Sequence, residues 1–349
     1  MSSNISISER AAALHRDALV IDGSEAAPMT PAHFDRLQKG GIHALNITVI
    51  KNMAADFNDG VLHIQDMLET IQTYPNRLAL VRTTQDIRQA RSEGKIGVIL
   101  GLQNARPIMN DLRYLRILHT LGVRIIQLTY NERNLLGDGC VEKANGGLSR
   151  FGRAAVKEMN RLGVVVDASH CCEQTTLEAI EESELPIAIT HANAKALSPS
   201  PRNKTDRVLK LLAERGGVIG AVTWAPIAYS DPQKRPGRKD FFANIDYLVQ
   251  KAGIDHVGIG SDNGEGETRE EYEAMFKHGA GTYPEITAVL GSWYGWEGRM
   301  VEGMEQVTVF PEITEELLKR GYKDDDVRKV LGGNWLRIYG QSWDRSVSK

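Results

Sequence analysis

The feature that most constrains this chain is a series of short apolar runs, several of which stop on a residue capable of chemistry. Val164-Val165-Val166-Asp167-Ala168-Ser169-His170 and Ile187-Ala188-Ile189-Thr190-His191 each end on an imidazole. Val257-Gly258-Ile259-Gly260-Ser261-Asp262 ends on a carboxylate. Runs of this kind at 19–23, 44–50, 78–82, 96–102, 123–129, 164–169, 187–190, 218–223 and 256–261 predict strands apolar on both faces, as a parallel sheet covered on both sides requires. The segments between them, 31–40, 58–73, 110–120, 149–162, 173–183, 205–215 and 240–252, carry apolar residues at helical spacing, with Ser149, Thr205 and Asp240 placed to act as N-caps.

That many alternations, with no composition shift, linker or solenoid repeat, predict an α/β fold. The expected form is one TIM-type (β/α)8 barrel over residues 1–349, with its core at 18–340, and not two doubly wound halves. Two segments depart from the rhythm. The stretch 263–310, where Gly264, Gly266, Gly279, Gly281, Gly291, Gly295 and Gly298 stand amid Trp293, Tyr294 and Trp296, predicts a long irregular excursion. Residues 311–340 predict two helices joined near Tyr322 and packed outside the barrel.

In a parallel barrel the carboxyl ends of the strands meet on one face, which makes neighbours of His170, His191 and Asp262. A single polar residue at a strand end is ordinarily no more than a cap, but two imidazoles and a carboxylate delivered together suit a metal. His256 begins its strand and belongs to the opposite face, where a structural role is expected. His15, His33, His43, His63, His119 and His278 lie in helical or loop contexts and are assigned no chemistry.

Charge and cysteine content narrow the partners. With 45 acidic and 42 basic residues the net charge is -3, which gives no electrostatic case for nucleic acid or an anionic membrane and favours a small-molecule partner. No stretch has spanning length and the first residues lack a leader pattern, so the expected location is cytoplasmic. Three cysteines are too few and too badly spaced for a disulfide framework. Cys171 and Cys172 could offer a thiolate beside His170, although buried packing is the commoner fate of cysteine.

A set of blocks running in order through nearly the whole chain resembles the membrane (renal) dipeptidase family. They include Val20-Ile21-Asp22-Gly23, Leu128-Thr129-Tyr130-Asn131, Gly147-Leu148-Ser149-Arg150-Phe151-Gly152 and Val166-Asp167-Ala168-Ser169-His170. Thr190-His191-Ala192-Asn193, Pro201-Arg202-Asn203, Gly258-Ile259-Gly260-Ser261-Asp262 and Leu331-Gly332-Gly333-Asn334 continue the series. The resemblance implies a barrel hydrolase of the binuclear zinc type. It implies that His170 and His191 hold the second metal, that Asp262 is the catalytic aspartate, and that Arg202 grips a substrate carboxylate at the pocket mouth. Tyr130 stands where many members place a histidine that contacts substrate. A homodimer is implied by the resemblance alone.

The other half of the family's metal site is altered. Where the family has Asp-Gly-His-x-Asp, this chain has Asp22-Gly23-Ser24-Glu25-Ala26, and Gln103 replaces a bridging glutamate. A neutral amide is a poor bridge between two dications, and strand alternation points Glu25 away from the side occupied by positions 24 and 26. The expectation is therefore one zinc per chain, held by His170 and His191 with Asp262 or Gln103 completing the set. Ser24, Gln103, Tyr130 and Arg202 are left to face the substrate.

Three functions are compatible with that pattern. The first is a metal-dependent hydrolase cleaving an amide or related carbon–nitrogen bond in a small carboxylate-bearing compound. The second is a non-peptidase enzyme on the same barrel, a lyase, deaminase or decarboxylase, and the third is a catalytically inactive small-ligand binding protein.

Overall fold

A computed structural model describes residues 6–50, 53–271 and 283–345. Among the described residues nine strands form where the apolar runs predict them: β1 (Ile21–Glu25), β2 (Ala44–Thr48), β3 (Leu78–Leu80), β4 (Ile96–Leu102), β5 (Val123–Gln127), β6 (Val165–Asp167), β7 (Ala188–Ile189), β8 (Val218–Ala221) and β9 (Val257–Ile259). Eight of them follow one another in parallel in the order β1-β2-β4-β5-β6-β7-β8-β9, and β3 pairs only with β4. The ninth strand fits because β3 takes the edge of β4 at Ile96–Val98, whereas β5 pairs higher up, from Leu100 onward.

The ring closes through side chains as much as through the ladder. Asp22 on β1 is fully buried and accepts hydrogen bonds from the Ser261 amide (2.8 Å) and hydroxyl beyond β9. The Asp262 and Ala26 amides donate to Ser24 and Asn263 carbonyls across the same seam. Burial pushes the Asp22 carboxyl up to about 7, against the pull of those donors.

Helices α2 (Pro31–Lys39), α3 (Phe57–Thr73), α5 (Leu112–Leu121), α6 (Arg150–Leu162), α7 (Glu173–Glu182), α8 (Asp206–Glu214) and α9 (Arg238–Ala252) lie in the predicted segments. Two more, α1 (Glu9–Asp17) and α4 (Thr84–Ser92), were not anticipated, although α4 begins with a full capping box between Thr83 and Asp86. Ser149 and Thr205 cap α6 and α8. Asp240 does not cap α9: that helix starts earlier, and the Asp240 carboxylate reaches back from the third position to the Gly237 amide at 2.9 Å.

The C-terminal helices, Phe310–Lys319 and Asn334–Trp343 with a short helix and a π-turn between them, lie outside the strand ring. The last of them crosses the amino ends of the strands. There Trp335 packs with Ile21, Ala44, Ile99, Ile125, Val165, Ala188 and Val218. Trp335 is fully buried, and its Nε1–H donates to the Ile259 carbonyl at 2.9 Å. The slot exists because Gly23 and Gly258 line it: a Cβ on either would come within 2.5 Å of the indole.

The excursion after β9 is irregular as far as it is described, with a short helix at Pro284–Thr287. His278, Gly279 and Gly281 lie outside the described residues. His256 bonds the Gly217 carbonyl at 2.8 Å through Nδ1. No helix among the described residues is long and apolar enough to cross a membrane.

Candidate active site

The carboxyl ends of the strands surround an open cavity. Its lining includes Ala26, Gln103, Tyr130, His170, Arg202 and Asp262. Ser24 lies near the carboxyl end of β1, Gln103 follows β4, Tyr130 follows β5, and His170 and His191 follow β6 and β7. Arg202 comes from the loop after β7, and Asp262 leaves β9 with a left-handed backbone, φ 51°. Turning out of β9 in that conformation brings the Asp262 side chain to Ser24 and Gln103.

His170 and His191 face each other through Nε2, 2.8 Å apart. Their Nδ1 atoms fix the tautomers. His170 Nδ1 meets the Asn131 side-chain oxygen at 2.7 Å, an acceptor, so this nitrogen carries the proton. His191 Nδ1 meets the Thr190 hydroxyl at 2.8 Å. Thr190 spends its own proton on Asp167 Oδ2 at 2.6 Å, so its oxygen must accept from His191. Both Nε2 atoms therefore aim lone pairs at the same point. Burial, with Arg202 nearby, lowers the His170 pKa well below its usual value; burial also lowers that of His191, although Asp262 opposes the shift. Two facing lone pairs on neutral rings call for a shared cation, and ring nitrogens backed by oxygen acceptors are the usual way of presenting imidazole to a metal.

The neighbouring half of the cavity has a different character. Gln103 Nε2 donates to Asp262 Oδ1 at 3.1 Å and to Ser24 Oγ at 3.3 Å, and Ser24 Oγ donates to the same carboxylate oxygen at 3.4 Å. Neutral hydrogen-bond donors thus occupy the flank of Asp262 where a second cation would need anionic ligands. Among the described residues no three His, Cys, Asp or Glu side chains gather as a metal-holding group. The donor set fits an ion held by two imidazoles and completed by oxygen. It does not fit a second ion beside Ser24, Ala26 and Gln103.

Glu25 turns away from the cavity and is wholly buried, its carboxyl raised well above its usual pKa by burial and by Asp22. Its Oε1 accepts from the Ala27 amide at 3.1 Å and lies 3.9 Å from His33 Nε2. Cys171 is packed against Thr129, and burial pushes its thiol up to about 12, so it offers no thiolate. Cys172 serves as the N-cap of α7.

Arg202 is not at the cavity mouth. It is 1% exposed, with Nη1 donating to the Ser169 carbonyl and Nη2 to that of His191 at 3.2 Å. The loop folds back because Lys204 pairs its backbone with Asn193 and buries its ammonium against the Ala168 and Cys171 carbonyls and the Thr176 hydroxyl. Arg202 Nε has no partner among the described residues, so that N–H and the second proton of each Nη remain for a ligand. The Tyr130 ring stacks on His170, centroids 4.2 Å apart, and so forms one wall beside the paired imidazoles.

Sequence reasoning did not single out Asn131, Asp167 or Thr190, which hold the two imidazoles. The signal was present, since each lies within three residues of a strand end already identified. Nor did it find Glu267, Arg299, Trp224 and Tyr283, which line the outer cavity, because they come from irregular loops with no periodicity to read.

The family model for membrane dipeptidases (peptidase family M19) matches residues 8–297 and 287–347. The dipeptidase tcpJ of Claviceps purpurea is 29% identical over 306 residues, which cover 84% of this chain and 64% of that protein. The dipeptidase verJ of Clonostachys rogersoniana is 30% identical over 298 residues, or 85% and 68% of the two chains. The chain thus spans about two thirds of the length of these curated relatives. Among solved structures, an amidohydrolase from Pseudomonas aeruginosa superposes with a TM-score of 0.86 at 36% identity, covering 96% of this chain and 99% of that one.

Proposed function

Because the chain belongs to the membrane dipeptidase family, we propose that it is a metal-dependent hydrolase working with one zinc ion, and that it cleaves an amide or related carbon–nitrogen bond in a small carboxylate-bearing compound. The observation that carries the single-ion reading is the contrast across Asp262. On one side two imidazole lone pairs converge; on the other, Ser24 and Gln103 bond the carboxylate as neutral donors. Zinc bound by His170 and His191 would polarise the scissile group and acidify a water molecule.

The chain's own residues supply the rest. Asp262 Oδ1 is fixed by Ser24 and Gln103, while Oδ2 accepts no hydrogen bond from any described residue. Oδ2 is therefore the atom to take a proton from the attacking water and pass it to the leaving nitrogen. Arg202 offers Nε–H and its spare Nη protons to the substrate carboxylate, a planar donor set suited to that group. Tyr130 covers His170 and keeps solvent from that side of the ring.

Metal analysis of purified protein after zinc loading is expected to find about one equivalent per chain. A result of none, or of two tightly held ions, overturns the single-ion reading. A second check falls on the support of His191: Thr190→Val removes the acceptor of its Nδ1–H, and zinc affinity is expected to fall roughly 10–100-fold. Competition against a chromophoric chelator measures it, and unchanged affinity would place the metal elsewhere.

A further inference from the structure

Away from the imidazoles the cavity wall is largely apolar. Trp224, Tyr283, Ile286, Tyr294 and Met300 line it, and the first three pack in one cluster with Val222 and Ile227. They come from the loop after β8 and from the excursion after β9. Among the described residues the charged side chains of the lining are Arg202, Arg299, Asp262 and Glu267. Both carboxyls are engaged. Asp262 accepts from Ser24 and Gln103, and its charge acts on His191 beside the paired imidazoles. Burial pushes the Glu267 carboxyl up to about 7, Arg299 pulls the other way, and Asp262 adds to the push. Glu267 is therefore only partly charged near neutrality, and a guanidinium already answers the charge it keeps.

The positive side has no such offset. Arg202 donates to carbonyls, and because both imidazoles are neutral, a divalent ion between them would bring its full charge. Two guanidiniums and that ion outweigh two carboxyls, so an ammonium entering the cavity is repelled and sheds its water against an apolar wall. An anion with an uncharged, apolar remainder suits both the field and the wall. We infer that the cavity takes an N-acylated amino acid, a monoanion whose apolar acyl chain lies against Trp224, Tyr283, Ile286 and Met300, and that it selects against a free amine at that end. This rests on the hydrolase reading and names its substrate class. Water would add across the carbon–nitrogen bond, the hydroxyl to the acyl carbon and the proton to nitrogen, releasing a carboxylic acid and the amino acid.

The test compares leucyl-alanine with 4-methylpentanoyl-alanine, the same molecule without its amine, and with acetyl-alanine, which has no chain to lay on the wall. Calorimetric Kd on zinc-loaded protein is read throughout, with KM and kcat where turnover occurs. Wild type is expected to bind 4-methylpentanoyl-alanine roughly 10-fold or more tightly than leucyl-alanine, since the amine meets like charge. It should also favour the longer acyl chain over acetyl by roughly 4-fold per methylene buried. Trp224→Ala should weaken 4-methylpentanoyl-alanine by roughly 10-fold and leave acetyl-alanine bound as before, which shows that the cavity is still formed. Met300→Ala, measured the same way, replaces it should Trp224→Ala not fold. Leucyl-alanine bound as well as its amine-free counterpart, or better, overturns the assignment even if both are hydrolysed. So does a wall variant that keeps the wild-type ratio between long and short acyl compounds. Selective binding of the acyl compound without any turnover upholds the subsite and removes the hydrolase reading instead. Failure to bind any of the three overturns both.

Discussion

Asp262→Asn is expected to lower kcat by roughly 10²–10⁴-fold, the usual contribution of a positioned general base, while leaving the fold intact. Asp262 is held in a left-handed backbone conformation that asparagine adopts at least as readily as aspartate. The amide oxygen can keep the hydrogen bonds that Ser24 and Gln103 now give to Oδ1. What asparagine lacks is a second oxygen able to accept a proton, so the loss should fall on kcat with little change in melting temperature. The same variant separates an enzyme from a binding protein of the same ancestry. If Arg202 and the cavity walls existed only to hold a ligand, affinity would survive and there would be no turnover to lose. Wild-type protein that turns over no dipeptide, amide or related compound with zinc present, yet binds one as tightly as Asp262→Asn does, would decide for the binding protein. A variant retaining full kcat would show that the proton moves through another group.

The strands and the positions around the cavity were legible for one reason. In a parallel barrel each strand is buried on both sides, so its residues form a continuous apolar run, and the polar residues that follow the run fall towards the functional face. His170, His191 and Asp262 could be located that way without knowing any contact. The same logic separated Ser24 and Ala26 from Glu25, because alternation along β1 decides which side chains reach the cavity. What could not be read depends on distant partners. Arg202 looked like a residue of the mouth because nothing local says that Lys204 buries its ammonium against carbonyls from the loop after β6 and a hydroxyl on α7 and draws the loop down. The tautomers of the two imidazoles follow from Asn131, Thr190 and Asp167, whose side-chain directions no spacing rule supplies. The start of α9 was misplaced for a smaller reason of the same kind: an aspartate near a helix start can cap from the first position or reach back from the third, and Asp240 does the latter.

Trp335→Ala is expected to be the most destabilising single change, by about 3–5 kcal/mol, the range for deleting a large buried aromatic. The indole enters the barrel from its amino end, against strand backbone at Gly23 and Gly258. Those walls belong to a hydrogen-bonded ring and cannot close inward, so the space left by the side chain stays open instead of collapsing. The Ile259 carbonyl loses its donor as well, which adds the cost of an unsatisfied buried acceptor. With an unfolding entropy of about 2.1 cal/mol/K per residue, a chain of 349 residues should lose about 4–7 °C in melting temperature. Trp335→Phe refills most of the volume but not the hydrogen bond, and should recover more than half of the loss. Zinc stoichiometry should stay unchanged in both variants below the transition, because the ligands sit at the other end of the strands. Thermal unfolding followed by circular dichroism measures the shifts. An alanine variant melting within about 1 °C of wild type, against the several degrees expected for a core cavity, would mean that the C-terminal helix merely covers the barrel and does not hold its base together.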